Sequence, residues 1–243
     1  MIASTGTTRV LFVKFQNFRR KLTDKDAARL SELSKEGKHK DIFNLIYENR
    51  YWKTDESVSG WGSSMEITKV LRPKLEKLLR DLAVKSFLDV PCGDFNWMKA
   101  VDFGATKYIG GDIVAPLVND LTAKYGSSDR SFIVLDLISD RLPDVDMIFI
   151  RDCLIHLEND LVMKALTNIA NSSIKYAVIT HAPFISTNMN IDTGHFRNIN
   201  LTKPPFSLPK PMQILDEGCK DPLSFDKSLG VWSVEDIKAV LTK

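Results

Sequence analysis

The sequence lacks most features that would mark a disulfide-stapled, zinc-binding or membrane-spanning protein. Its 243 residues include only three cysteines, an odd number without CxxC spacing, which argues against a disulfide framework and a zinc site. No apolar run approaches the length of a membrane span, and the short apolar stretch at residues 10–13 cannot form the core of a signal peptide. We therefore expect a protein of a reducing compartment, the cytoplasm.

The chain also lacks an excess of charge of either sign. A net charge of +2 gives no reason to expect nucleic acid or a membrane surface as a partner. The hydrophobic fraction of 44% and the charged fraction of 26% are those of a soluble globular protein. At this length we predict one α/β domain at residues 51–243, preceded by an N-terminal arm and helices at residues 1–50.

The most informative pattern is a strand that breaks into a tight turn. The apolar residues Phe87, Leu88 and Val90 run into a turn at residues 91–93, and a helix-compatible segment follows. This pattern predicts a first strand, a backbone loop and a helix N-terminus, whose N–H groups can receive a polar end of a ligand. The GxGxxG spacing of dinucleotide-binding turns is absent.

Further apolar runs end in acidic residues at the ends of successive predicted strands. The second strand ends at Asp112, where a carboxylate can accept both hydrogen bonds of a ribose diol. The third strand ends at Asp136, and the fourth and fifth lie at 146–152 and 176–180. Since helices alternate with these strands, we predict an α/β fold with a Rossmann-like, doubly wound, mostly parallel seven-stranded sheet. Ligands of such sheets bind at the carboxyl ends of the strands.

An acid at the end of strand one, a turn with a glycine and an acid at the end of strand two resemble the class I S-adenosylmethionine-dependent methyltransferases. The Asp-Val-Pro-Cys-Gly-Asp sequence at 89–94 is similar to a variant found in a subgroup associated with sugar and glycan modification, with Pro91 in place of the first glycine. The resemblance extends over residues 52–241 and implies S-adenosylmethionine as the cofactor. The cofactor-binding residues expected from the sequence are Trp61, Gly62, Ser63, Asp89, Pro91, Cys92, Gly93, Asp112, Ile113, Asp136, Leu137 and Arg151.

The Ser-Gly-Trp-Gly-Ser segment at 59–63 has two interpretations. It can be a plain linker before a helix, with Ser64 as the N-cap. Two tryptophans, Trp52 and Trp61, argue against a mere linker because large apolar rings usually pack onto something. By the resemblance, this segment folds over the methionine end of the cofactor.

The candidate catalytic residues follow strands four and five. Methyl transfer to a hydroxyl benefits from a general base, because the oxygen must lose its proton. Asp152 ends the fourth strand, and His156 would share a face with it if the turn is helical, so that the carboxylate orients the imidazole. His181, at the end of the fifth strand, is the competing base. For each histidine the alternative is an ordinary bond to a backbone carbonyl.

A long irregular segment at 181–211 follows the fifth strand and is predicted to form a folded lid. We expect the acceptor to contact this lid and a stacking ring, through Trp52, Asp192, His195, Arg197 and Asn200. The alternative for Arg197 is that it fastens the lid to an acid such as Asp192. No spacing demands a metal ion, and none is predicted.

The resemblance, together with the polar lid, implies an O-methyltransferase acting on a sugar or glycan hydroxyl, and two rivals stay open. One is an N-methyltransferase acting on a small amine or a protein; the Pro-Pro-aromatic turn common in nucleobase methylation is missing after strand four. The other is a non-catalytic module that binds S-adenosylmethionine, for which the proline at position 91 is the main support. The oligomeric state is left open.

Overall fold

A computed structural model describes residues 23–219 and 226–241 of the chain. The strands in this part of the chain are β1 (Ser86–Asp89), β2 (Lys107–Asp112), β3 (Arg130–Val134), β4 (Met147–Ile150), β5 (Tyr176–His181), β6 (Gln213–Asp216) and β7 (Ser228–Ser233). They form one sheet in the order β3-β2-β1-β4-β5-β7-β6. The first five strands run parallel, while β7 is antiparallel to both of its neighbours. The predicted fold class is confirmed.

Helices pack on both faces of this sheet and at its carboxyl edge. They are α1 (Asp24–Lys35), α2 (His39–Glu48), α3 (Leu71–Asp81), α4 (Ala115–Tyr125), α5 (Asn159–Ala170) and α6 (Val234–Leu241). One core packs α5, α6 and the end of the lid against the sheet, and the other packs α3 and α4 against the opposite face. Because both faces are covered, strand β4 is apolar and buried along its whole length.

The N-terminal helices α1 and α2 form a small core of their own, with Leu30, Ile42 and Tyr51 buried between them. They touch the carboxyl edge of the sheet, where His39 Nε2 lies 2.7 Å from Asp136 Oδ2. Ser34 Oγ accepts a hydrogen bond from the lid backbone. Residues 1–22 of the predicted arm lie outside the described part, and the division at residue 50 stays a prediction.

The expected helix directly after the first turn was wrong. Within the described residues, the chain between β1 and β2 contains one short 3-10 turn, Met98–Ala100. The cause is Asp94, whose carboxylate accepts hydrogen bonds from the backbone N–H of Val58 at 2.8 Å and of Asn96 at 3.3 Å. These bonds hold the segment as a loop, and Phe95 adopts a positive φ of 58° within it.

Among the described residues, no helix combines the length and the apolar character needed to cross a membrane.

Candidate active site

The turn after β1 and the end of β2 meet at Asp112. Its Oδ2 accepts a hydrogen bond from the N–H of Gly93 at 3.1 Å, and its Oδ1 accepts one from the N–H of Val114 at 3.0 Å. Burial raises the pKa of this carboxyl to about 6, although the backbone N–H groups oppose the shift. Each oxygen keeps a further lone pair, so the carboxylate can accept two hydroxyl groups.

A second buried carboxyl, Asp89, lies at the end of the neighbouring strand. The Tyr108 hydroxyl donates a hydrogen bond of 2.7 Å to its Oδ2, and burial raises its pKa to about 8. The intervening turn is tied to β2, because the N–H of Cys92 donates to the carbonyl of Gly111 at 2.8 Å. The two acidic groups and the turn between them therefore lie side by side at the carboxyl edge of the sheet, and their role in a cofactor crevice stays a prediction.

The Ser-Gly-Trp-Gly-Ser segment lies directly over this turn. The N–H of Asp94 donates to Ser59 Oγ at 3.1 Å, and the hydrogen side of Gly93, at a φ of 53°, faces the same hydroxyl. A methyl group on Gly62 would lie 3.0 Å from Asp152 Oδ2, so Gly62 permits close approach to that carboxylate. The Trp61 side chain in this segment is 40% exposed. The segment thus links the first turn with the residues that follow β4.

Asp136 and Leu137, two of the predicted cofactor-binding residues, lie just beyond β3. Leu137 is buried, and the Asp136 carboxylate is paired with His39 of α2. Although burial acts in the opposite direction, the His39 bond lowers the pKa of Asp136, and the same bond raises the pKa of His39. The Asp136 carboxylate therefore anchors an N-terminal helix beside the crevice. Ile113, which follows Asp112, is half-buried.

A largely buried cluster of four charged side chains lies at the edge of the sheet where β4, β5 and β6 end and β7 begins. Arg151 donates to Glu217 Oε2 through Nε at 3.0 Å and Nη2 at 2.6 Å, and its Nη1 lies 3.3 Å from Asp152 Oδ2. Lys227 Nζ donates to Asp152 Oδ2 at 2.6 Å and lies 3.7 Å from Glu217 Oε2. The guanidinium also lies over the Trp97 ring, 5.4 Å from its centroid.

Glu217 and Lys227 are absent from the sequence-based prediction of the site. Glu217 follows the last residue of β6, and Lys227 precedes the first residue of β7. Because β7 is antiparallel to β5, its beginning lies at the same edge as the ends of the parallel strands. An antiparallel seventh strand is the signal that would have brought both residues into the prediction.

His156 takes its orientation from the lid and from a stacked tryptophan. Its Nδ1 lies 2.7 Å from the carbonyl oxygen of His195, and its ring stacks on Trp52 with centroids 4.5 Å apart. A carbonyl can only accept, so Nδ1 carries the hydrogen and Nε2 carries the lone pair of the neutral ring. The expected helical turn is a single 3-10 turn, Leu154–His156, preceded by Asp152 at a φ of 55°.

His181 is placed quite differently. It is 2% exposed, its Nδ1 accepts a hydrogen bond from the N–H of Leu201 at 3.2 Å, and it packs edge-on against Trp232. Burial lowers its pKa to about 4. The lone pair of the ring is therefore engaged by the lid backbone, which disfavours His181 as a base.

The predicted acceptor residues of the lid divide into buried and exposed groups. Arg197 donates to the carbonyls of Met189 and Leu154 and to Asn159 Oδ1, at 3.1, 2.8 and 3.0 Å. Asn200 is buried, and its amide nitrogen donates to two lid carbonyls. The exposed members are Asp192 and His195. Arg197 thus fastens the lid, as the alternative interpretation expects, but through carbonyls and an amide instead of an acid.

Within residues 23–219 and 226–241, no group of three or more histidine, cysteine, aspartate or glutamate side chains could hold a metal ion.

Comparison with known proteins finds no match among protein-family models or curated sequences. Solved structures do match. Haemonchus contortus phosphoethanolamine N-methyltransferase 1, in complex with phosphoethanolamine and S-adenosylhomocysteine, superposes with a TM-score of 0.56 and 12% identity over 85% of this chain and 53% of that one. Burkholderia thailandensis 1,6-didemethyltoxoflavin-N1-methyltransferase, solved with 1,6-didemethyltoxoflavin and S-adenosylhomocysteine, gives 0.55 and 15% over 80% of this chain and 86% of that one.

Human N-acetylserotonin methyltransferase, in complex with S-adenosylmethionine, gives a TM-score of 0.54 and 13% identity over 79% of this chain. The chain spans 59% of the length of that human protein. At such low identity these likenesses concern the fold. The chain has the class I fold that S-adenosylmethionine-dependent methyltransferases share.

Proposed function

We propose that this chain is an S-adenosylmethionine-dependent methyltransferase that methylates a hydroxyl group of a sugar or glycan. The observation that carries the proposal is Asp112, held at the end of β2 by the N–H groups of Gly93 and Val114. This carboxylate has one remaining lone pair on each oxygen, which suits the two hydroxyls of a ribose. The structural neighbours named above, solved with S-adenosylmethionine or S-adenosylhomocysteine, support this choice of cofactor.

The charges of the crevice also fit this cofactor. Asp89 and Asp112 are both buried, and burial raises the pKa of both carboxyls. A ligand with a sulfonium and an ammonium group favours their ionised forms, because an opposite charge nearby lowers a carboxyl pKa. The cofactor supplies a methyl group already activated on sulfur, so the protein's task is to align the acceptor.

His156 is the base we propose for the acceptor hydroxyl. Its hydrogen bond to the carbonyl of His195 directs the lone pair to Nε2, and Trp52 supports the ring from one face. Asp152 is a poor base: burial by itself would raise its pKa, but Arg151 and Lys227 outweigh burial and lower it. The imidazole therefore receives the proton, and a positioned base of this kind contributes about 10²–10⁴-fold to the rate.

An amine acceptor is the second candidate. Two of the neighbours are named as N-methyltransferases, so the same fold carries transfer to nitrogen. A methyl-transfer assay with matched panels of methyl glycosides and small primary amines separates the two. Transfer to a glycoside supports our proposal, and transfer to amines alone contradicts the choice of a hydroxyl. Tight S-adenosylhomocysteine binding without turnover in either panel would favour the non-catalytic module.

The cofactor site is tested by calorimetry with S-adenosylhomocysteine. Asp112→Ala and Asp112→Asn should weaken binding about tenfold or more, since the diol loses a charged acceptor. Asp120→Asn, a change of an exposed acid on α4, is the matched control and should bind like the parent. Unchanged affinity in both Asp112 variants would remove the residue from the cofactor site.

The base is tested by comparing His156→Gln with His181→Gln in the same assay. We expect the first to lower kcat about 10²–10⁴-fold while S-adenosylhomocysteine affinity is kept. The second should keep kcat close to the parent value if it folds, because its ring lies in the core. The reverse order of effects would show that His181 is the base.

A further inference from the structure

The Arg151, Asp152, Glu217 and Lys227 cluster contains two carboxylate oxygens without a partner. Asp152 Oδ1 and Glu217 Oε1 are both buried and have no hydrogen-bond partner among the described residues. The other oxygen of each carboxylate is in contact with Arg151 and Lys227. A buried acceptor without a donor costs about 1–3 kcal/mol, so a group that supplies donors would stabilise this arrangement.

The charge of the cluster limits what that group can be. Two cations face two carboxylates, and the side chains of Arg151 and Glu217 are 4% and 2% exposed. Adding a cation or an anion to this balanced set would bury an uncompensated charge, which is costly in a buried site. Neutral O–H donors complete both oxygens without changing the balance.

The cluster lies between the two halves of the proposed active site. Arg151 follows β4, which pairs with β1 and brings the guanidinium to the cofactor side, and Asp152 precedes the 3-10 turn that carries His156 on the lid side. Gly62 lies against Asp152 Oδ2, with the close approach described above. The Asp152 side chain is 23% exposed, so the cluster extends to the protein surface on this side.

We propose that Asp152 Oδ1 and Glu217 Oε1 together bind two neighbouring hydroxyl groups of a neutral polyol acceptor. This inference rests on the proposed function and specifies its acceptor: a molecule with a vicinal diol, held by one hydroxyl on each carboxylate. Arg151 and Lys227 are positioning residues that hold the two carboxylates in place. Arg151 and Glu217 are 66 positions apart in sequence, so this site exists only in the folded chain.

The experiment uses the full chain saturated with S-adenosylhomocysteine and three probes on the same ring. They are trans-1,2-cyclohexanediol, cyclohexanol and cyclohexylamine, followed by ligand-observed NMR titration. We expect the diol to bind about tenfold or more tightly than the single alcohol, because it fills both acceptors. The amine should bind no better than the single alcohol. Tighter binding of the amine would overturn the assignment to a neutral diol.

Two variants locate the binding and one controls for charge. Asp152→Asn and Glu217→Gln should each weaken diol binding about tenfold. Glu235→Gln removes one negative charge from an exposed side chain on α6 and should leave diol binding unchanged. If Glu217→Gln does not fold, Asp152→Asn decides, because the Asp152 side chain is 23% exposed and its substitution disturbs the core less. Diol binding unchanged in the folded variants refutes the site.

The cofactor separates this inference from the proposed function. Both variants should bind S-adenosylhomocysteine within about twofold of the parent; a loss of that affinity assigns the two oxygens to the cofactor and overturns the diol site. A parent chain that binds the diol but transfers no methyl group refutes the proposed function and leaves the diol site standing. A parent that methylates glycosides, with Asp152→Asn and Glu217→Gln showing an unchanged acceptor KM, refutes the diol site alone.

Discussion

Arg197 offers the sharpest test of whether the lid is fastened or contacts the acceptor. Its guanidinium is 8% exposed and donates three hydrogen bonds, two to carbonyls and one to Asn159. Hydrogen bonds to a charged group contribute about 1.5–3 kcal/mol each. Against this, burial lowers the pKa of Arg197 to about 10, which corresponds to about 3 kcal/mol of desolvation. The balance is about 1–6 kcal/mol in favour of the folded lid.

Arg197→Lys should therefore lower the free energy of unfolding by about 2 kcal/mol, because one ammonium group cannot reach all three acceptors. Arg197→Met should lower the free energy of unfolding further, because its side chain makes none of the three hydrogen bonds. Denaturant unfolding measures both, and hydrogen exchange over residues 189–197 should quicken in the same order. Arg141→Lys, a change at a side chain that is 90% exposed, is the matched control and should leave both measurements unchanged. Unaltered stability together with a raised acceptor KM in Arg197→Lys would refute the reasoning and return Arg197 to the acceptor site.

Three further changes probe the crevice and the core. Tyr108→Phe removes the hydroxyl that donates to Asp89, so the free energy of unfolding should fall by about 1–3 kcal/mol. The pKa of the Asp89 carboxyl, followed by ¹³C NMR, should rise above about 8, and an unchanged pKa would contradict this. His39→Gln removes the pair with Asp136, which raises the pKa of His39 above 6.5 in the folded protein. The pair therefore contributes roughly 1–2 kcal/mol to stability below pH 6.5, and this contribution is lost as the pH rises through the pKa of His39 in the folded protein. Parent and variant should thus differ near pH 6 and converge near pH 9 in urea unfolding, and a pH-independent difference would show that the pair does not titrate. Gly110→Ala places a methyl group 2.6 Å from a ring carbon of Phe132 on β3, so the free energy of unfolding should fall by about 1–3 kcal/mol. Thermal or urea unfolding measures this change, and a stability equal to the parent's would show that the ring moves aside freely.

The sheet and the position of the crevice were predictable because both depend on local patterns. A buried parallel strand is a continuous apolar run, and the residue that ends it is the first that can be polar. Asp89 and Asp112 are such residues, and the structure places them together at one edge. The helix predicted after the first turn failed for a long-range reason, since Asp94 bonds to the Ser57 and Val58 segment, far upstream in sequence.

The partners of the catalytic candidates were not predictable from spacing. Asp152 and His156 are only four positions apart, yet the 3-10 turn and the positive φ of Asp152 keep the carboxylate from orienting the imidazole as predicted. His156 takes its orientation from a lid carbonyl 39 positions away. Arg197 has a forked donor that suits a substrate, and the fold directs it to carbonyls of the lid instead.

What the sequence alone determined is the alternation of strands and helices and the acids that end the strands, because burial on both faces imposes a periodicity that short segments display. What the tertiary structure decided is which charges meet: Lys227 reaches Asp152 across 75 positions because β7 enters the sheet antiparallel between β5 and β6. Such a meeting depends on strand order and direction, and neither leaves a trace in the local pattern of residues.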